Sequence, residues 1–273
     1  MMLAPGHLTT MLHASTARQQ GPCMRIEKIY RYPVKGLTPE ALDETPLTAG
    51  QCIPHDRRFA LAHGDAPFDP TRPEFLPKQN FACMMAHPRV VLIRSVFDPH
   101  DNRLALTAPG MPPLAENPTT PEGRAAISTW MTRFLGDEAR GQPVFHDVAG
   151  HNFTDQVKKG VSLFNLNSLA EFESRIGRRL DPLRFRANVY FSGLPAWQEF
   201  DWIGREVQLG TARLRIFKVT VRCPATMVDL ETGERDCNTP GLLFEHYGHR
   251  DLGVHAEVIK DGHAALGDAV EPL

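Results

Sequence analysis

A chain of 273 residues exceeds the usual size of a single domain, so two packed units or one large one are expected. Apolar residues make up 42%, enough for a globular core, and a formal net charge of −2 argues against a nucleic-acid partner while leaving room for local basic patches. No apolar run approaches the roughly 18–20 residues of a membrane span. The five cysteines, Cys23, Cys52, Cys83, Cys223 and Cys237, form no CxxC pair and suit neither a disulfide framework nor a zinc knuckle. A reducing, cytoplasmic setting is the expectation.

In chain order, residues 1–23 lack the apolar centre of a signal peptide and any regular periodicity. A disordered tail is expected there, with Met24 a candidate start. Met24 to Val34 reads as a strand ended by Pro33, and residues 37–49 as short strands with turns. Asp56-Arg57-Arg58 forms a polar tip leading into a strand through His63. Residues 64–80 hold four prolines and read as loop. Val90–Phe97 and Arg103–Ala108 suit a strand pair joined by the turn-rich residues 98–102. A helix follows, with Thr120 as N-cap, Pro121 at its first position, Ile127, Trp130, Met131, Phe134 and Leu135 on one face, and Gly136 as its stop.

The pattern changes near residue 140. Val161–Leu166 reads as a strand running into a second helix, with Ser168 and Glu171 at capping-box spacing and Gly177 as the stop. Asn167 and Ser168 thus stand at a helix start, where free amides favour an anion; the plainer reading is that Ser168 caps the helix. Arg184 and Arg186 enter a further strand. Short strands over Glu206–Leu209, Arg213–Val221 and Val254–Ile259, then a turn at Asp261-Gly262 and a strand at Ala269-Val270, complete a β-rich array. Many short strands with two good helices predict a mainly β member of the α+β class, a barrel or sandwich. His246 and His249 read as structural residues of a loop.

Arg213–Val221 leads into Arg222-Cys223-Pro224. Phe217, Val219, Val221 and Cys223 alternate with polar residues, while Leu214 and Ile216 keep the opposite parity, so a bulge is expected near Ile216–Phe217. Pro224 cannot donate to a ladder and should end the strand, leaving Cys223 at its terminus beside a cation. A thiol so placed can ionise and bind metal or react; a lone cysteine is more commonly a small buried hydrophobe. Lys35, Arg57, Arg58, Arg184, Arg186 and Arg222 all stand at strand ends. Singly each suits a solvated or ion-paired surface group, but together on one rim they would form a phosphate-sized anion site.

Tyr32-Pro33-Val34-Lys35-Gly36, Asp56-Arg57-Arg58-Phe59, Arg184-Phe185-Arg186-Ala187-Asn188, Arg222-Cys223-x-x-Thr226-x-Val228-Asp229-x-x-Thr232-Gly233 and the ending Val258-Ile259-Lys260-Asp261-Gly262 with Gly267-Asp268-Ala269-Val270 occur in that order. Together they resemble the MOSC-domain proteins, in the branch with an N-terminal MOSC β-barrel domain that includes the mitochondrial amidoxime-reducing components and bacterial YcbX proteins. The resemblance implies an N-terminal barrel domain over residues 24–140 and a MOSC domain over residues 141–273. It also implies a molybdenum cofactor, Mo-molybdopterin, with Cys223 as the protein's metal ligand and catalytic residue. Lys35, Arg57, Arg186 and Asn188 would hold its phosphate and pterin, with Asp155 and the Asn167-Ser168 helix start as looser matches. The expected activity is two-electron reduction of small N-hydroxylated compounds. Sulfur carriage as a persulfide, or cofactor carriage without turnover, are the rivals. The chain departs from the family at Gly36, where a serine is usual, and at Leu230, where a proline is frequent. No cysteine-rich iron–sulfur domain follows, so electrons are expected from a separate ferredoxin-, cytochrome- or flavoprotein-type partner.

Overall fold

The computed structural model describes residues 24–273, so the tail expected over residues 1–23 lies outside the described residues. In chain order the elements are β1 (Arg25–Arg31), β2 (Glu40–Leu42), β3 (Glu44–Leu47), β4 (Phe59–Ala62), β5 (Arg94–Asp98), β6 (Arg103–Thr107), β7 (Leu114–Glu116), α1 (Pro121–Leu135), β8 (Val144–Asp147), β9 (Val161–Asn165) and α2 (Leu166–Ile176). Then follow β10 (Val189–Ser192), β11 (Glu206–Leu209), β12 (Ala212–Val221), α3 (Thr239–Tyr247), β13 (Asp251–Lys260), β14 (Gly262–Ala265) and β15 (Val270–Pro272). Eight strands form one sheet in the order β15-β11-β12-β13-β9-β10-β1-β2; β14 pairs with β3, β4 with β8, and β5-β6-β7 form a fourth sheet. The fold is mainly β within the α+β class.

Parity explains how the large sheet packs. Val161 and Leu163 of β9 join Leu214, Ile216, Val254, Ala256 and Val258 in one core. Phe164, on the opposite face, joins Phe172, Leu180, Phe185, Tyr190 and Leu243 in a second core that α2 and α3 share. A third gathers Phe59, Leu61, Phe97, Leu104, Ile127, Trp130 and Phe145 of the N-terminal region, and Val228 reaches into it from the C-terminal half. The pattern change near residue 140 is crossed at the sheet level: β1 pairs with β10, and β3 with β14.

α1 follows its sequence signals. Thr120 accepts from the Gly123 amide at 3.1 Å, and Gly136 ends the helix with φ 56°. The start of α2 differs from expectation. Asn165 is its N-cap, accepting from the Asn167 amide at 3.1 Å, and Ser168 lies inside the first turn. His246, expected in a loop, lies instead in the last turn of α3, which Asn238 caps, Pro240 opens and Gly248 stops with φ 74°. The strand expected over 90–97 is divided, because Pro88 begins a 3-10 turn through Leu92 and pairing starts only at Arg94.

β12 carries the expected bulge, a register shift between Ile216 and Lys218, with further shifts between Arg213 and Leu214 and between Val219 and Val221. Its buried phase is Ala212, Leu214 and Ile216, not Phe217, Val219 and Val221 as the alternation suggested. Val221 is exposed, since the bulges turn the strand's last residues away from the core.

Candidate functional site

The end of β12 opens into a cleft of about 1130 Å³, open solvent at its mouth included. Its lining carries Lys35, Arg57, Lys78, Lys158, Arg184, Arg186 and Arg222 against Asp56 and Asp155, an excess of cations that outside carboxylates reduce only at Arg184 and Lys158. Cys223 lines it and is partly exposed. Pro224 starts a 3-10 turn through Met227, and the Thr226 amide and hydroxyl both donate to the Cys223 carbonyl, at 3.0 and 2.9 Å. The threonine of the Arg-Cys-x-x-Thr motif therefore fixes the backbone that presents the sulfur.

Two motifs from the N-terminal region close on each other beside it. The Tyr32 amide donates to Asp56 at 2.8 Å, the Arg57 amide donates to the Tyr32 carbonyl at 2.7 Å, and the Lys35 amide donates to the Phe59 carbonyl at 2.8 Å. Lys35, buried, donates to the Phe153 carbonyl at 3.0 Å and also to Asp155. Asp155 additionally faces Lys78 at 3.5 Å. Burial opposes its charge, yet Lys35 and Lys78 hold its carboxyl well below the usual range. For Lys78, burial opposes the charge, but Asp155 and the Cys223 sulfur outweigh it and raise the ammonium. Lys78 is thus a site residue that the proline-rich loop gave no signal for.

Arg57 and Arg186 both lie over the Tyr32 ring, at 4.6 and 4.3 Å from its centroid. Both have left-handed backbones, φ 49° and 52°, a strained state for a side-chain-bearing residue. Arg57 is anchored by Asp56 at 2.5 Å and by the Arg186 carbonyl at 3.0 Å. Arg186 donates one nitrogen to the Leu37 carbonyl at 2.7 Å, while its other terminal nitrogen, Nη2, is buried without a partner. Burial, with Arg57 beside it, pushes this guanidinium down. The hydroxyl of Thr220 in the same lining is likewise buried and unpartnered. Unsatisfied donors among crowded cations are what an anionic ligand would complete.

The remaining sequence-predicted residues divide. Arg222, buried, spends its guanidinium on the Leu252 carbonyl at 2.7 Å and the Phe185 carbonyl at 2.8 Å, and burial pushes it down to about 10. Arg184 pairs with Asp236 at 2.5 Å and Asp229 at 2.7 Å, clasping two motifs together with its charge already met. Asn188 lines the cleft, but its amide is used within the sheet: Oδ1 accepts from the Ser162 hydroxyl at 2.9 Å and Nδ2 donates to the Tyr30 carbonyl at 3.1 Å. Arg58, Asn167 and Ser168 stand outside the cleft. Arg58 forms a fork with Asp147, both bonds 2.9 Å. The Ser168 hydroxyl donates to Glu199 at 2.8 Å, a fully buried carboxyl that burial pushes up from its ordinary range. The α2 start is capped from within the chain by Asn165.

Gly36 explains the departure from the usual serine. Its φ is +87°, and a Cβ there would lie 2.8 Å from the Ala82 carbonyl oxygen. Gly36→Ser should cost about 1–3 kcal/mol of stability, read by urea denaturation. An unaltered midpoint would contradict this account of the turn.

His255 on β13 also lines the cleft, stacked on Phe217 with centroids 6.1 Å apart. Burial, then Arg222, Lys218 and Arg57, push it down to about 3 from an ordinary 6.5. The unfolded chain therefore takes up this proton first. The stability that the neutral ring contributes is fully present above about pH 6.5 and is lost as pH falls from there toward 3. His255→Gln should flatten the acid-side loss of stability between about pH 6.5 and 4.5, by on the order of 1 kcal/mol. The check is the denaturation midpoint followed against pH; an unchanged slope contradicts the placement.

Among the described residues no three His, Cys, Asp or Glu side chains converge as a metal cage, so a metal at Cys223 would take one thiolate from the protein. Cys52, Cys83 and Cys237 are free and buried; Cys83 lines the cleft, and burial pushes its thiol up. No helix among the described residues is long and apolar enough to cross a membrane.

The chain is similar to mitochondrial amidoxime-reducing component 1 of Mus musculus, 36% identical over 29% of this chain and 23% of that protein. It is 22% identical to the molybdenum cofactor sulfurase of Bos taurus over 77% of this chain and 27% of that protein. To mitochondrial amidoxime reducing component 2 of Rattus norvegicus it is 23% identical, over 90% of this chain and 82% of that protein. The matches thus span about a quarter of the first two relatives and most of the third. The MOSC N-terminal beta barrel domain family matches residues 23–159, and the MOSC domain family matches residues 146–271. The chain belongs to the MOSC-domain family, in the branch with an N-terminal MOSC β-barrel domain.

Proposed function

We propose that this chain binds a molybdenum cofactor in the cleft and uses it to reduce N-hydroxylated compounds, hydroxylamines or amidoximes, to the corresponding nitrogen bases. The observation that carries this reading is the shared cleft: a partly exposed Cys223 faces the same space as Lys35, Arg57 and an Arg186 whose buried Nη2 has no partner. These residues fit an anionic pterin. Lys35, Arg57 and Arg186 would hold its phosphate, and Cys223 would give a single thiolate beside the cofactor's own sulfurs. Asn188 and Arg222 act at one remove, locking the strands that frame the cleft. Asp155 holds Lys35 and Lys78 in place.

When bound, the cofactor supplies the metal and the two-electron redox chemistry. Two electrons and two protons convert the N–OH group to N–H and release water. A separate electron-transfer protein would supply the electrons. Relatives whose names specify amidoxime reduction support the reaction, and cofactor sulfurase supports the link to molybdenum.

The test is turnover of hydroxylamine by the cofactor-loaded protein with an artificial electron donor. Steady reduction is expected. Loaded protein that does not turn over is a carrier instead. A sulfur atom released from Cys223 by a thiol reductant, with no molybdenum in the protein, would replace reduction with persulfide chemistry.

A further inference from the structure

A second cavity, of about 870 Å³ with open solvent included, shares no residue with the cleft. It lies among the end of β8, the first turn of α1 and the segment after Asp147. Asp147 is the carboxylate of its lining, and the two-pronged contact with Arg58 already neutralises it, both bonds 2.9 Å. Arg124 and Lys159 remain, bonded only to uncharged oxygens. Arg124 donates to the Thr119 and Pro118 carbonyls at 2.8 and 3.4 Å, and Lys159 to Gln51 at 3.0 Å and the Gly150 carbonyl at 2.8 Å.

Arg124 sits in the first turn of α1, whose start is already met by the Thr120 hydroxyl and by Glu122. It is the guanidinium itself, without an ionic partner, that a bound anion would complete. His151 in the wall reports the Lys159 charge: burial first, then that ammonium, push its imidazole down.

We propose that this cavity binds a phosphate group between Arg124 and Lys159, either as inorganic phosphate or carried on a small phosphorylated molecule. The site is independent of the cofactor cleft and of the reaction proposed for it.

Calorimetric titration of the full chain with inorganic phosphate, at fixed ionic strength, tests this. Saturable binding is expected in wild type, with about tenfold or greater weakening in Arg124→Gln and in Lys159→Gln. Lys35→Gln, which alters only the cleft, should retain this binding. A phosphate monoester such as glycerol phosphate, run in parallel, identifies the source. Tighter binding of the ester assigns the site to a carried group, and equal binding assigns it to free phosphate. Absence of saturable binding in wild type overturns the proposal, as does undiminished affinity in Lys159→Gln, which decides alone if Arg124→Gln does not fold. Loss of binding in Lys35→Gln with both other variants unaffected would place the phosphate in the cleft, and also overturns it.

Discussion

Arg186→Met is expected to release the pterin while leaving the cofactor-free protein within about 1 kcal/mol of wild-type stability. The side chain holds one carbonyl, of Leu37, but its Nη2 is buried without a partner and its charge is crowded against Arg57 over one tyrosine ring. The lost hydrogen bond is therefore offset by relief of an unsatisfied charge. For an anionic ligand the balance runs the other way. Losing two charge-assisted contacts at roughly 1.5–3 kcal/mol each should weaken retention by about a hundredfold or more. Arg57→Met should behave differently, although it removes the same chemical group. It strands Asp56, whose side chain is 2% exposed, and should cost about 3 kcal/mol in the cofactor-free protein. Urea denaturation of the empty protein, together with pterin retained after gel filtration, separates the two. Equal pterin retention by Arg186→Met and wild type would contradict the phosphate role.

Cys223→Ser is expected to reduce turnover of hydroxylamine to background without disturbing the fold. The sulfur is partly exposed, and the local backbone is held by Thr226 rather than by the cysteine side chain. A change of one exposed atom should shift stability by no more than about 0.5 kcal/mol. Thr226→Val is the instructive contrast. Thr226 is buried and donates to the Cys223 carbonyl, so its loss should cost about 1 kcal/mol and displace the sulfur while leaving the thiol chemically intact. Full turnover in Cys223→Ser would exclude the sulfur from the reaction.

Much of this cleft was legible in the chain because its key residues sit beside local punctuation. Pro224 ends a strand and puts Cys223 at its terminus, and the short motifs around Lys35, Arg57 and Arg186 carry their own turns. What was not legible depends on partners far along the chain. Arg184 reads singly as a solvated or ion-paired surface group, and only the fold names its partners, Asp229 and Asp236. Ser168 reads as a cap, but Asn165 stands earlier and takes that role, and the Ser168 hydroxyl bonds Glu199 instead. Lys78 reaches the cleft from a loop without periodicity, and only tertiary packing sets its position beside Asp155 and Cys223. β12 misled for a related reason: its bulges reassign the later residues from core to cleft, and alternation alone does not reveal which phase is buried. α3 is different, since its cap, proline and stop all stand in the sequence.

The most direct test of the central claim is elemental and pterin analysis of wild type and Cys223→Ser purified from a host that synthesises molybdopterin. Binding through Cys223 predicts about one molybdenum and one pterin per wild-type chain, with the metal lost from the serine variant. Wild-type protein without molybdenum, or a variant that keeps its full complement, would contradict it.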